Sequence, residues 1–177
     1  MKTALFFLFF SLLYAADPID QLIKDYKEKK YHDVCVNGTK RFKRIRKDEN
    51  LLSMYAFACL YDDQIYRLYL PCMILGKTPT SRHNRSYFSL IIAQKNILIS
   101  SLFDHEKYEG LHVPNTDYVL SRVFNLYFQK KYRKTGDVYS MQDAYGTYKV
   151  YVKYEKGKKW LIIEEEKDGK KIVHKYR

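Results

Sequence analysis

Apolar residues recur at helical spacing through most of the chain and change to strict alternation near its end. Ile19, Leu22, Ile23 and Tyr26 lie three and four apart, which predicts a helix opened by Pro18 with Asp17 as its cap. After a break at Lys29-Lys30, a second helix carries Tyr31, Val34, Cys35 and Phe42, and Gly38 is expected to interrupt it. Leu51, Leu52, Tyr55, Ala56, Cys59 and Leu60 form the stripe of a third helix, opened by Asp48 or Asn50. A fourth is predicted from Ile65 to Leu75, kinked or split at Pro71 and closed by Gly76. The segment Lys77 to Thr80 reads as a loop. The fifth helix, from Tyr87 to Phe103, is the most apolar, and Gln94, Lys95 and Asn96 break its surface. That break argues for a central core helix rather than a membrane span. A polar loop, Asp104 to Pro114, leads to a sixth helix capped by Asn115 or Thr116, with Val119, Leu120, Val123, Phe124 and Leu126 inside.

At Gly136 the period becomes twofold. Tyr148, Val150, Val152 and Tyr154 alternate with Thr147, Lys149, Tyr151 and Lys153, the pattern of a half-buried strand. Gly157 and Asp168-Gly169 mark turns on either side of Trp160-Leu161-Ile162-Ile163, and Ile172-Val173-His174 follows. The fold class is therefore α+β: five to six helices in antiparallel hairpins, then an antiparallel β-meander of three to four strands. Residues 17–135 make the helical part, and residues 136–177 make a meander packed on it. Glu164, Glu165 and Glu166 are expected to pair across strands with Lys158, Lys159, Lys170 and Lys171.

Ahead of the helices stands Lys2, then an apolar run of 11 residues from Ala4 to Tyr14, then Ala15-Ala16. A cation, a short apolar stretch and small residues before Asp17-Pro18 are the layout of a secretory signal peptide over residues 1–16, cleaved near Ala15/Ala16. A periplasmic or secreted protein follows as the expectation.

The net charge is +12, and it falls by one when Lys2 leaves. Outside the cytoplasm, nucleic acid is not an expected partner; an acidic envelope protein or an anionic membrane surface is. Six of the eight residues from Lys40 to Lys47 are basic: Lys40, Arg41, Lys43, Arg44, Arg46 and Lys47. They complement the negative end of a helix and offer a docking patch. The 18 Tyr and 10 Phe suit amphipathic packing, since a Tyr ring buries while its hydroxyl stays wet.

No Gly-rich phosphate loop, Ser nucleophile elbow, paired-Cys zinc motif or helical zincin pattern is present, and no cofactor is expected. Asp104, His105, Glu109 and His112, with Glu106, are the one neighbourhood where carboxylate and imidazole metal ligands gather. His32 stands three residues before Cys35, the helical spacing of a thiol–imidazole pair. Cys35, Cys59 and Cys72 allow one bridge and three pairings.

Aligning Tyr31 with Ile65 gives a period of 34 and sets 18–44 and 49–75 in register; Leu22 then matches Ala56, and Val34 matches Leu68. On those positions, residues 18–75 resemble a pair of tetratricopeptide or Sel1-type repeats, without the family's Trp or helix-packing Gly. The chain as a whole is also similar to exported bacterial proteins. The resemblance implies a protein-binding scaffold. Its stacking, second helix of one pair against the first of the next, implies a Cys35–Cys59 bridge. The expected function is thus an exported, non-enzymatic binding or assembly protein of the bacterial cell envelope. The alternative is a small metal-dependent or thiol enzyme using residues 104–112 or Cys35.

Overall fold

A computed structural model describes residues 17–177. The signal peptide expected over residues 1–16 lies outside them. Helix α1 (Pro18–Lys27) opens as its sequence predicts: the Asp17 carboxylate accepts from the Ile19 N–H at 2.8 Å, and Ile19 and Leu22 are buried. Helix α2 (Tyr31–Lys40) is not interrupted at Gly38. A Cβ there would sit 2.5 Å from the Tyr55 ring, so the glycine serves a close helix–helix approach instead. The basic segment supplies a short helix the periodicity missed, α3 (Phe42–Ile45), with only Ile45 buried. Helix α4 (Glu49–Tyr61) is capped by Asp48, which accepts from the Asn50 and Leu51 N–H groups. Cys35 and Cys59 are joined, with Cα atoms 4.8 Å apart, across the α2–α4 contact.

Pro71 has no N–H to continue a helix begun at Ile65 and would crowd the carbonyl four residues back. The chain therefore makes a 3₁₀ turn (Ile65–Leu68) and restarts as α5 (Tyr69–Ile74), which puts Pro71 in the first turn, where no N–H is needed. Helix α6 (Pro79–Phe103) begins eight residues before its apolar stripe. The cause is a reciprocal cap: Ser81 N–H to Thr78 Oγ1 at 3.1 Å, and Thr78 N–H to Ser81 Oγ at 3.0 Å. Gln94 and Lys95 do not break this helix; both are buried, Gln94 donating to the Pro114 carbonyl and Lys95 to the main-chain oxygen of Arg177. Helix α7 (Val119–Phe128) starts after the expected caps, because the Thr116 N–H and Asn115 Oδ1 both engage Ser121 Oγ ahead of it.

Five strands follow in sequence order as an antiparallel meander: β1 (Arg133–Thr135), β2 (Val138–Gln142), β3 (Thr147–Glu155), β4 (Lys158–Lys167) and β5 (Lys170–Tyr176). That is one strand beyond the expected range. The added strand, β1, is exposed at every position and so carries no alternation to read. Lys156-Gly157 and Asp168-Gly169 take positive φ at both turn positions, which matches the twist of the flanking strands. The register sets Tyr148 against Glu165, Val150 against Ile163, and Leu161 against Tyr176. Those residues are buried, with helices α6 and α7 lying against the sheet.

Candidate functional site

Helical sidedness in the 3₁₀ turn and α5 separates two faces. Ile65, Leu68, Pro71 and Leu75 are buried. On the other side Tyr66, Tyr69, Leu70 and Met73 are exposed to 58, 43, 56 and 81%. Four large apolar side chains on one short stretch form a contiguous patch rather than scattered surface residues. Tyr66 donates to Gln64 and Tyr69 shares hydrogen bonds with Asn96, so both rings are tethered by their hydroxyls.

The residues that flank the basic segment, Thr39 and Glu49, hydrogen-bond to the 3₁₀ turn and to the loop after α5. Arg67 donates to Thr39 Oγ1 at the end of α2. At the far end the Glu49 carboxylate accepts from the N–H groups of Gly76, Lys77 and Thr78, at 2.8, 3.0 and 3.3 Å respectively. Those N–H groups, Lys77 first, hold the Glu49 carboxyl down at about 2. Within the segment, Arg41 donates to the Asn37 carbonyl of α2, the expected helix-end role, and Arg44 pairs with Asp17 at 2.6 Å. Lys40, Lys43, Arg46 and Lys47 are exposed and have no carboxylate partner among the described residues.

A second constellation, unforeseen in the sequence, joins helices to sheet. Asp63 takes φ 57° at the corner after α4 and turns its carboxylate inward. It accepts from Tyr118 at 2.7 Å, from Tyr176 at 2.8 Å and from His174 Nδ1 at 2.8 Å. His174 Nε2 lies 3.3 Å from Glu165, which pairs with Arg122 at 2.6 Å. Arg122 also lies over the Tyr145 and Tyr148 rings. Burial disfavours the charged imidazole, but the Asp63 and Glu165 hydrogen bonds and charges outweigh it and raise the His174 pKa. Burial first, and then the Asp63 charge, push Tyr118 well above the usual phenol range, and burial with the neighbouring Tyr118 and Asp63 does the same to Tyr176, so both remain donors. With His174 charged, two carboxylates face an imidazolium and a guanidinium, and the net charge of the seam is zero. Both ring nitrogens of His174 are engaged, which leaves neither free to exchange a proton with a substrate. Outside the seam lies a cavity of about 480 Å³ lined by Asp62, Asp63, Lys95, Trp160 and Tyr176 among others.

The acidic triplet divides accordingly. Glu164 pairs with Lys171 at 2.7 Å, as expected, whereas Glu165 faces inward to Arg122 and His174 and meets no lysine. The signal was available: Glu165 and His174 occupy inward positions of adjacent strands, where apolar residues would otherwise stand.

Asp104, His105, Glu109 and His112 are all exposed on the loop after α6. His105 and Glu109 reach the same open groove of about 350 Å³, beside Tyr108, Tyr127 and Phe128, while Asp104 and His112 are not among its walls. Among the described residues no three His, Cys, Asp or Glu side chains gather as a metal site. Cys35 is fully buried and disulfide-bonded, so it presents no thiolate, and His32 pairs with Asp62 at 3.0 Å. Cys72 is half-buried, and burial raises its thiol pKa. No helix among the described residues is long and apolar enough to cross a membrane. Comparison of the chain with protein-family models, with curated proteins and with solved structures finds no match.

Proposed function

We propose that this chain is an exported, non-enzymatic binding or assembly protein of a bacterial cell envelope, and that the face formed by the 3₁₀ turn, α5 and the basic segment is its contact surface. The observation that carries the reading is the exposure of Tyr66, Tyr69, Leu70 and Met73 together with four exposed cations without carboxylate partners on the segment whose flanks, Thr39 and Glu49, bond to Arg67 and Gly76. Asp63, Glu165 and His174 are instead engaged with one another and with Arg122, Tyr118 and Tyr176 in the seam between helices and sheet. A TPR-like scaffold made of the pairs 18–44 and 49–75 belongs to the same proposal. The Cys35–Cys59 bridge supports it, because stacked repeats bring those two helices together. Export rests on the layout of residues 1–16.

The test places a photo-crosslinking residue at Tyr69 and, in a second variant, at Tyr154, which is exposed on the sheet. Crosslinked products from position 69 and none from position 154, in intact cells, is the expected result. Equal products from the two positions, or no adduct to protein or lipid from either, overturns the assignment of this face.

A further inference from the structure

We infer that the partner of this face is the surface of an anionic lipid bilayer, with Leu70 and Met73 entering the interfacial region and the basic segment lying against the headgroups. The inference rests on the reading of the α5 face as the contact surface, and three features of the molecule point to lipid.

The first is shape. Tyr66 and Tyr69 are held down by hydroxyl contacts to Gln64 and Asn96, whereas Leu70 and Met73 carry no such tether and stand clear of the surface. Tethered tyrosine rings with two projecting aliphatic side chains suit a deformable interface, where aromatic rings settle at headgroup depth and aliphatic tips go deeper. A folded protein partner would need a matching pair of pockets.

The second is the sign and distribution of charge. Lys40, Lys43, Arg46 and Lys47 are exposed between Thr39, which accepts from Arg67 of the 3₁₀ turn, and Glu49, which accepts from the Gly76 N–H just after α5. Lys77 and Arg82 add to the far end, Arg82 reaching the Gly76 and Lys77 carbonyls. The nearby acids are spent elsewhere: Asp48 caps α4, Glu49 holds the Gly76–Thr78 amides, and Asp62 binds His32 and Gln64. Asp48, Glu49 and Asp62 keep their charges, but Lys40, Lys43, Arg46, Lys47, Lys77 and Arg82 outnumber them, so the net charge of the region is positive and spread along it, which complements a continuous anionic sheet.

The third is economy of the contact. The patch alone is too small to hold a protein at a bilayer, and the cations alone are screened by salt. Reversible surface attachment takes two signals acting together, an apolar insertion and a basic patch, and both are present here.

The test sediments residues 17–177, which contain every described element, with vesicles of phosphatidylglycerol and phosphatidylethanolamine or of phosphatidylcholine alone. Binding to the anionic vesicles is expected to exceed binding to the neutral ones by about tenfold or more and to weaken as salt rises. L70S/M73S should weaken it by about tenfold with an unchanged melting temperature. K43E/R46E/K47E should remove the preference for anionic lipid. Equal binding to both vesicle types, or binding that survives both sets of substitutions, overturns the inference. No vesicle binding, together with a position-69 crosslink to an acidic protein, overturns the lipid inference and leaves the contact face standing. No vesicle binding and no crosslink overturns both.

Discussion

The seam between helices and sheet and the face of α5 use the same kinds of residue to opposite ends. Each combines tyrosines, cations and carboxylates. At the seam, Asp63 takes three donors, Glu165 takes two, and the charge of Arg122, with that of His174 when it is protonated, is answered within the molecule. On the α5 face the carboxylates are consumed by caps and backbone N–H groups, and the cations and apolar tips are left over. The difference is one of accounting. A constellation whose charges answer one another, even with the buried Arg122 Nε left unpartnered, stabilises the fold, and a constellation with a surplus of one sign and uncovered apolar surface has something to offer a partner.

The contrast can be broken most forcefully at the seam. Glu165→Ala would strand the buried Arg122 guanidinium and remove one of the two carboxylates holding His174. A loss of about 3–5 kcal/mol in urea unfolding is expected. A change below about 1 kcal/mol would show that the seam is not what joins sheet to helices. Next comes the disulfide, with partners 24 residues apart. Replacing Cys35 and Cys59 together by Ala should cost about 3 kcal/mol by release of loop-closure entropy, read from the denaturation midpoint.

pH sharpens the same contrast. The His174 pKa is raised in the folded state above its ordinary 6.5. Its contribution to stability is therefore complete below the unfolded value and fades as pH rises through the folded one. His174→Gln should flatten that decline in a series of melting curves, and a parallel decline in the variant would assign it elsewhere. Glu49 behaves oppositely. Its carboxyl is held at about 2 against an ordinary 4.5, so its contribution is present above the ordinary value and is lost as pH falls toward 2. Glu49→Gln should leave the protein less sensitive to acid. The smallest effect on stability is expected at the α5 face, where L70S/M73S should alter unfolding by less than about 0.5 kcal/mol.

Much of the architecture was legible in the sequence, because alternation and helical spacing report burial directly. The cap at Asp17, the split before Pro71, the Asp168-Gly169 turn and the α+β order all follow from local chemistry. What escaped were elements without apolar periodicity. The strand β1 is wholly exposed, and α3 is basic apart from Phe42 and Ile45. Gly38 was misread because its purpose is the Tyr55 ring, a contact with a different helix. The seam escaped for a related reason: the β4–β5 register sets Glu165 beside His174, but only the packing of α7 and the corner after α4 on the sheet brings Arg122 and Asp63 to them. The α5 face was half visible. Its basic neighbour could be read from a charge run, but which of Tyr66, Tyr69, Leu70 and Met73 face outward depends on where the helix restarts after the 3₁₀ turn.

The contact role of that face is tested most directly by fractionating cells that produce the unaltered chain or L70S/M73S. The unaltered chain is expected to remain with the envelope, and the variant is expected to move to the soluble fraction at equal abundance. An identical distribution of the two would contradict the assignment of the α5 face as the surface through which this protein works.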